Sequence, residues 1–232
     1  MIGRQFCVLT FTELLAIVAE CGIELNQTAL AELQTVANGW SEPLLRLLGA
    51  ERVESMDVSS HEQATIIHDM NLPLPSQLKG RFDVVIDGGT LEHVFNFPVA
   101  IRNCMEMLAI GGHYLGIAPA NNWCGHGFYQ FSPDLFFRIF SKENGFILQR
   151  AVLCEVRPDA EWHEAIDILD SRRFLELTNT RQTYCLTQAK KIADVCPFEK
   201  PPQQGIYQLL WKGEQLAGVD ASLASLPQTK RT

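Results

Sequence analysis

Three acidic residues stand where an open parallel sheet would bind a ligand. Each is the last residue of a short apolar stretch that predicts a strand: Arg52–Asp57, Thr65–Asp69 and Phe82–Asp87. Ligands of such sheets bind at the carboxyl ends of the strands. A carboxylate there accepts hydrogen bonds from ribose hydroxyls or from an adenine amino group. Each acid taken singly also suits a turn, but the same placement on three successive strands favours a ligand site.

The loop after the third of these strands reads GGTLEH, residues 88–93. Its two glycines allow the backbone to approach a ligand closely, and Glu92 and His93 begin the following segment. The alternative interpretation is a tight turn with a glutamate at a helix start, where the helix dipole favours an acid.

A second polar loop follows the next predicted strand and reads PANNWCGHGFY, residues 119–129. Loops that combine glycine, aromatic and hydrogen-bonding residues on a rigid scaffold often carry function. His126 is a candidate general base, because the reference pKa of histidine lies near neutrality. The alternative is a histidine that is hydrogen-bonded within its own loop.

The elements that position these loops alternate between strands and helices. Before Arg52 the sequence predicts a strand over Arg4–Thr10, a helix capped by Thr12, and helices over Thr28–Ala37 and Glu42–Leu48. After Asp87 it predicts a helix from Pro98 with Ile101, Cys104, Met105 and Leu108 on one face, a strand over His113–Ala118, a helix over Asp134–Phe140 and strands over Phe146–Leu153 and Ile206–Trp211. This alternation is typical of a parallel sheet covered by helices.

Residues 155–204 depart from this rhythm because they are more polar and contain four prolines. They predict an insertion or cap, with a helix over Ala160–Leu169. We therefore expect a single domain over residues 1–218 and a flexible tail over residues 219–232.

Composition excludes several classes of protein. The 232 residues carry a net charge of −8 and are 47% hydrophobic, which is typical of a globular chain. The negative charge disfavours broad binding to nucleic acid or to an anionic membrane. The seven cysteines include no CxxC pair, so free thiols in a reducing cytosol are expected rather than disulfides or zinc. Glu13 and Glu20 interrupt the apolar stretch near the start, so we expect a soluble, cytoplasmic protein.

Taken in order, the motifs ERVESMDVS, IIHDMNLPLP, GRFDVVIDGGTLEHV, GGHYLGIAP and FSPDLFFRIFSKENGF resemble class I S-adenosylmethionine-dependent methyltransferases. The resemblance covers about half of the chain. It implies a Rossmann-like, doubly wound, mostly parallel α/β sheet of the seven-stranded type, with an antiparallel last strand at Ile206–Trp211 and helices on both faces. It further implies that S-adenosylmethionine is the cofactor.

The resemblance places particular residues at that cofactor. Asp57 would hold its ribose and Asp69 would lie near its adenine, while Asp87, Gly88 and Gly89 would line the fourth-strand motif.

The family's glycine-rich turn after the first strand is represented only by Gly3, Arg4 and Gln5. Gly3 would be the first glycine of that turn. Arg4 could meet the carboxylate of the cofactor through its guanidinium group, or it could mark a site that has lost the cofactor.

Some related O-methyltransferases bind a divalent ion through an ExxEH motif after the fourth strand and a later histidine. Here Glu92 and His93 match, His126 is suitably placed, and Gly89 replaces the leading glutamate. Three ligands can hold an ion with open positions, but the LEHV sequence also occurs in members that bind no metal.

The leading hypothesis is a methyltransferase that acts on a small molecule or a sugar, by O-methylation, with no nucleic acid or membrane partner. His126 would accept the proton of the acceptor, with His93 second and Tyr129 as a positioning group. The alternatives are a non-catalytic binding module, and the same scaffold with a metal at Glu92, His93 and His126.

Overall fold

The computed structural model of this chain describes residues 1–214 and residue 216. Its strands are Phe6–Cys7 (β1), Gly39–Trp40 (β2), Met56–Asp57 (β3), Ile66–Ile67 (β4), Phe82–Gly88 (β5), Leu108–Asn121 (β6), Phe146–Glu155 (β7), Trp162–Glu164 (β8) and Thr183–Lys191 (β9). Its helices are Phe11–Glu20 (α1), Gln27–Val36 (α2), Glu42–Leu47 (α3), Phe97–Met107 (α4), Pro133–Ile139 (α5), Ile168–Ser171 (α6) and Gly205–Trp211 (α7).

The main sheet has five strands in the order β5-β6-β9-β7-β8. β5 and β6 are parallel, and β9 is antiparallel to both β6 and β7. β3 and β4 form a separate parallel pair. The predicted α/β class is confirmed, but the described residues give a five-stranded mixed sheet rather than a seven-stranded one.

Ile2 joins the parallel pair to the main sheet. It forms parallel bridges to Met56 of β3 and to Asp87 of β5, and its backbone N–H donates to Ile86 O at 2.8 Å. The N–H of Gly3 donates to Met56 O at 2.7 Å. Because of this bridge, the carboxyl ends of β3, β4 and β5 share one edge with the end of the first segment.

The main core forms where α4 connects β5 to β6. Ile101, Cys104 and Met105 of α4 are buried, as their spacing predicts. Leu108 was predicted on the same helical face, but α4 ends at Met107 and Leu108 is the first residue of β6. A parallel crossover of this kind brings the loops after β5 and β6 to the same edge of the sheet.

The N-terminal helices pack on a smaller core of their own, which is built on Leu14, Val18, Leu33 and Val36. The residue that caps α1 is Thr10 rather than the predicted Thr12. Its hydroxyl accepts from the N–H of Glu13, whose carboxylate in turn accepts from the N–H of Thr10 at 2.8 Å. This capping box satisfies two backbone donors at the helix start. The predicted strand Arg4–Thr10 is reduced to β1, which pairs with β2 and not with the main sheet.

The C-terminal predictions need two corrections. Ile206–Trp211 is part of helix α7 and not a strand. Ala160–Leu169 is not one helix but strand β8 followed by the start of α6. The segment predicted as an insertion, residues 155–204, contains β9, which lies between β6 and β7 in the sheet.

Burial alternates strictly along β9, as expected of a strand inside a sheet. The predicted tail over residues 219–232 lies outside the described residues. No helix in the described part of the chain combines the length and the apolar character that crossing a membrane requires.

Candidate functional site

Glu92 links the loops that follow β5 and β6. Its side chain is 0% exposed. Its Oε1 accepts a hydrogen bond from His126 Nε2 at 3.2 Å, and its backbone oxygen accepts from the N–H of Phe128 at 2.8 Å. The structure therefore brings together Glu92 and His126, which lie 34 residues apart in the sequence.

Two glycines with positive φ make room for this buried carboxylate. A Cβ on Gly127, at φ +69°, would lie 2.9 Å from both Glu92 Cγ and the Glu92 backbone oxygen. A Cβ on Gly89, at φ +91°, would lie 3.2 Å from Glu92 Oε1. Both positions combine a left-handed backbone with a close approach, which glycine alone satisfies without strain. Gly89 thus shapes the pocket of Glu92 rather than facing the open edge.

The hydrogen bond to Glu92 assigns the proton on His126. Because the Glu92 carboxylate acts as the acceptor, Nε2 carries the hydrogen and Nδ1 keeps a lone pair. His126 Nδ1 has no hydrogen-bond partner among the residues that the structure describes. Since the His126 side chain is 41% exposed, this arrangement suits a base that is oriented by a buried acid.

His93 lies beside this pair without joining it. Its Nε2 is 3.8 Å from Glu92 Oε1, which is beyond hydrogen-bond range, and its ring meets that of His126 edge to face at 4.7 Å between centroids. Both histidine side chains are partly exposed, whereas the Glu92 carboxylate that they face is buried.

The second oxygen of Glu92 is an unusual feature of the site. Glu92 Oε2 is buried and, within the described chain, has no hydrogen-bond partner. Buried polar atoms without partners are uncommon and destabilising. Glu92, His93 and His126 each offer a ligand atom, and these atoms lie within 4.8 Å of one another. This set of one carboxylate and two imidazoles suits a divalent cation.

Two aromatic residues that the sequence analysis did not assign complete the site. The ring of Trp123 lies 5.0 Å from that of His126 and 4.7 Å from that of Tyr184. Trp123 Nε1 donates to Thr183 O at 3.0 Å, which fixes the indole. Burial, and after it the charge of Glu92, raises the pKa of Tyr184. Tyr184 belongs to β9, which lies within the segment that the sequence predicts as an insertion or cap. The sequence therefore gives no indication that Tyr184 is near the site.

Tyr129 packs next to the site but does not reach into it. Its hydroxyl donates to Phe95 O at 2.6 Å and its ring stacks on Phe131 at 5.8 Å. This bond holds the segment that carries Phe95, whose ring meets Phe128 edge to face at 5.8 Å. Phe95 and Phe128 are 72% and 66% exposed, so the aromatic pair is open to solvent. In the sequence, each lies two residues after one of the two histidines.

The acids at the ends of β3 and β4 are open to solvent on one side. Asp57 Oδ1 accepts from the N–H of Ser59 at 2.8 Å, and Asp69 Oδ1 accepts from the N–H and the side-chain amide of Asn71 at 2.9 and 2.8 Å. The two Asn71 hydrogen bonds lower the pKa of Asp69. Both side chains are partly exposed, and no described residue donates a hydrogen bond to either Oδ2.

The ends of β3 and β4 are also adjacent, because the N–H of His68 donates to Asp57 O at 2.8 Å. Two carboxylates, each with an oxygen that accepts no hydrogen bond from a described residue, therefore follow the neighbouring strands β3 and β4.

Asp87 differs from the other two acids because it is 1% exposed. Its Oδ1 accepts from the N–H of Thr90 at 2.9 Å and its Oδ2 accepts from the Tyr114 hydroxyl at 3.3 Å. Burial raises the pKa of Asp87 to about 7. Asp87 therefore holds the Gly88–Thr90 turn through the N–H of Thr90, and its carboxylate is buried rather than open at the edge.

Gly3 and Arg4 have different surroundings. Gly3 has a positive φ of 66°, and a Cβ there would lie 2.8 Å from Thr90 Oγ1. It therefore lies against the Gly88–Thr90 turn. Arg4 instead points towards α3, where its Nε donates to Glu42 Oε1 at 2.6 Å and its guanidinium lies 4.3 Å from the Trp40 ring centroid. Those contacts hold Arg4 at a cavity of about 370 Å³, which Trp40 and Glu42 also line.

Comparison with known proteins was made for sequence and for structure. No family model and no curated protein matches the sequence. Among solved structures, the [4+2]-cyclase SpnF is similar over 66% of this chain and 72% of its own, with a TM-score of 0.42 and 13% identity.

Two further solved structures resemble the chain at the same level. A 1,6-didemethyltoxoflavin-N1-methyltransferase of Burkholderia thailandensis with bound S-adenosylhomocysteine is similar over 66% of this chain and 67% of its own, with a TM-score of 0.41 and 12% identity. TehB of Haemophilus influenzae is similar over 64% and 53%, with a TM-score of 0.39 and 13% identity.

Proposed function

We propose that this chain is an S-adenosylmethionine-dependent methyltransferase that methylates a hydroxyl group of a small molecule or a sugar. The observation that carries the proposal is the pair Asp57 and Asp69, each with a free carboxylate oxygen, at the carboxyl ends of the neighbouring parallel strands β3 and β4. In such sheets this edge is the usual place for a nucleoside. Asp57 would accept the ribose hydroxyls and Asp69 the adenine amino group.

The same edge supplies a group that can remove a proton. The cofactor, when bound, supplies a methyl group on a sulfonium. His126 would hold the proton of the acceptor hydroxyl at Nδ1, and Glu92 would fix the ring and stabilise the resulting positive charge through Nε2. This division of work between a base and an orienting acid needs only that the acceptor be held in line with the methyl group.

The surroundings of His126 favour a small acceptor. The exposed rings of Phe95 and Phe128 would provide apolar surface for packing against a planar or sugar-like molecule. The chain carries 27 acidic against 19 basic side chains, and this charge disfavours a polyanionic acceptor.

Isothermal titration calorimetry with S-adenosylhomocysteine tests the proposal. Wild-type protein in EDTA should bind the nucleoside, and Asp57→Ala should weaken binding about 10- to 100-fold, because it removes one or two hydrogen bonds to a charged acceptor. Asp83→Ala is the matched control, since Asp83 is exposed on β5 at the opposite end of the strand. Equal affinity in the Asp57 and Asp83 variants would show that the ribose site lies elsewhere.

A second candidate function is favoured by the buried, unpartnered Oε2 of Glu92. A divalent cation held by Glu92, His93 and His126 would satisfy that oxygen and polarise a hydroxyl acceptor. Titration with Mg²⁺, Mn²⁺ and Zn²⁺ separates the two candidates. If a metal is held, His93→Ala should lose ion binding as fully as His126→Ala does. Absence of both ion and nucleoside binding in wild-type protein would favour a non-catalytic binding module.

A further inference from the structure

The side chain of Gln5 lies between the backbone of Ile2 and that of Gly88, at the edge of the sheet where the nucleoside is proposed to bind. Its Nε2 donates to Ile2 O at 2.8 Å. Because a backbone carbonyl can only accept, this bond determines which end of the carboxamide is nitrogen. The oxygen Oε1 therefore points the other way, towards Gly88. Ile2 O also accepts from Thr90 Oγ1 at 2.9 Å, so one carbonyl ties Gln5 to the turn after β5.

Gly88 is shaped around this carboxamide. An added Cβ at Gly88 would overlap Gln5 Oε1 and lie 2.8 Å from Gln5 Cδ. The three nearest atoms to that Cβ all belong to the Gln5 side chain. Gly88 has no positive φ, so the turn itself does not demand glycine. The packing of Gln5 is what excludes a larger residue at position 88.

Gln5 Oε1 has no hydrogen-bond donor within the described chain. None of residues 1–214 and 216 donates a hydrogen bond to Gln5 Oε1, and the Gln5 side chain is only partly buried. An amide oxygen that is fixed by its own nitrogen and lies beside Gly88, at the carboxyl end of β5, can accept a hydrogen bond from a donor outside the protein. Its neighbours on this edge are Gly3 and Gly88, which carry no side chain that could cover it.

We propose that Gln5 binds the nucleoside ligand directly, with Oε1 accepting a hydrogen bond from an N–H or O–H donor of that ligand. Gln5 would thereby take over part of the work of a glycine-rich turn, which this chain has only at Gly3. This inference rests on the proposed function, since it needs a nucleoside at the edge that Asp57 and Asp69 define.

The test compares Gln5→Met, which keeps the length of the side chain but removes the acceptor, with wild-type protein. S-adenosylhomocysteine affinity should fall about tenfold, the effect of one lost hydrogen bond. Gln149→Met, on an exposed position of β7, should bind as wild type does. Thermal unfolding followed by circular dichroism confirms that each variant is folded.

Gly88→Ala provides a second, independent variant. Its new Cβ displaces the Gln5 carboxamide, so it should also weaken binding about tenfold. In the Gln5→Met background the same change should add little further loss, because the two residues act through one contact. Additive losses would overturn the proposed contact, as would a Gln5→Met variant with wild-type affinity.

Titration with adenosine, which lacks the amino acid part of S-adenosylhomocysteine, identifies the donor. An equal loss for both ligands in Gln5→Met assigns the contact to the ribose, and a loss for S-adenosylhomocysteine alone assigns it to the ammonium group. Wild-type protein that binds neither ligand would overturn the proposed function and this inference together. Wild-type binding that Gln5→Met leaves unchanged would overturn this inference alone.

Discussion

Replacing His126 with alanine is expected to lower the rate of methyl transfer by about 10²- to 10⁴-fold, the usual contribution of a general base. The affinity for S-adenosylhomocysteine should change little, because in the proposed site His126 would contact the acceptor while Asp57 and Asp69 would hold the nucleoside. The measurement is formation of S-adenosylhomocysteine with a panel of hydroxylated small molecules, alongside calorimetry of the same variant. A variant that loses nucleoside affinity but keeps its rate would remove His126 from the catalytic role.

Two companion variants sharpen this result. Glu92→Gln keeps an acceptor for His126 Nε2 but loses the charge that stabilises the protonated ring, so its effect should overlap with that of His126→Ala rather than add to it. His93→Ala should have only a small effect, because His93 Nε2 lies 3.8 Å from Glu92 Oε1. If His93→Ala instead lowered the rate as much as His126→Ala, a metal held by all three residues would explain the activity better than a base.

Much of this site could be predicted because it depends on the rhythm of strands and loops. Asp57 is the last residue of β3, Asp69 lies two residues after the end of β4, and Gly88 is the last residue of β5. Parallel strands bring their carboxyl ends to one edge, so the loops that hold Glu92 and His126 were expected to lie near each other. The metal hypothesis placed these two side chains together, but the sequence does not show that Glu92 is fully buried or that Gly127 makes room for it with a left-handed backbone.

Asp87 shows how a residue in the right place can have a different role. Along β5 the side chains alternate between faces, and Val85 and Asp87 both point into the core. The strand FDVVIDG is apolar at most positions, so its sequence alone does not show which face is buried. The structure decides this through Tyr114 of β6, whose hydroxyl meets the Asp87 carboxylate.

The C-terminal elements could not be assigned for a different reason. In the structure, β9 (TYCLTQAKK) alternates between buried and partly buried residues. In the sequence, its polar residues are typical of a surface segment. Lys191 illustrates the difficulty, since it is buried and its Nζ donates to Leu108 O at 2.9 Å. The stretch Ile206–Trp211 is apolar at most positions and short, and periodicity does not separate a strand from a helix in such a stretch.

The buried Asp87 should make the stability of the protein depend on pH. Its pKa is about 7 in the folded protein, against an ordinary value of 3.8. The folded state therefore binds more protons than the unfolded state between about pH 4 and pH 7, and the free energy of unfolding falls as pH rises through that window. At 1.36 kcal/mol per pKa unit, the loss between pH 5 and pH 8 should be about 2–3 kcal/mol.

Asp87→Asn isolates this contribution. The asparagine keeps an oxygen for the N–H of Thr90 and offers its amide to the Tyr114 oxygen, but it does not titrate, so the loss between pH 5 and pH 8 should disappear. Tyr114, Cys104 and Glu92, whose charges are coupled to that of Asp87, keep their identity in this variant. Urea unfolding at pH 5, 6, 7 and 8 provides the measurement, with Asp83→Asn, at an exposed position near the start of β5, as control. If wild type and Asp87→Asn depend on pH equally, Asp87 is ionised in the folded protein, and the turn at Gly88–Thr90 is held by a charge rather than by a neutral acid.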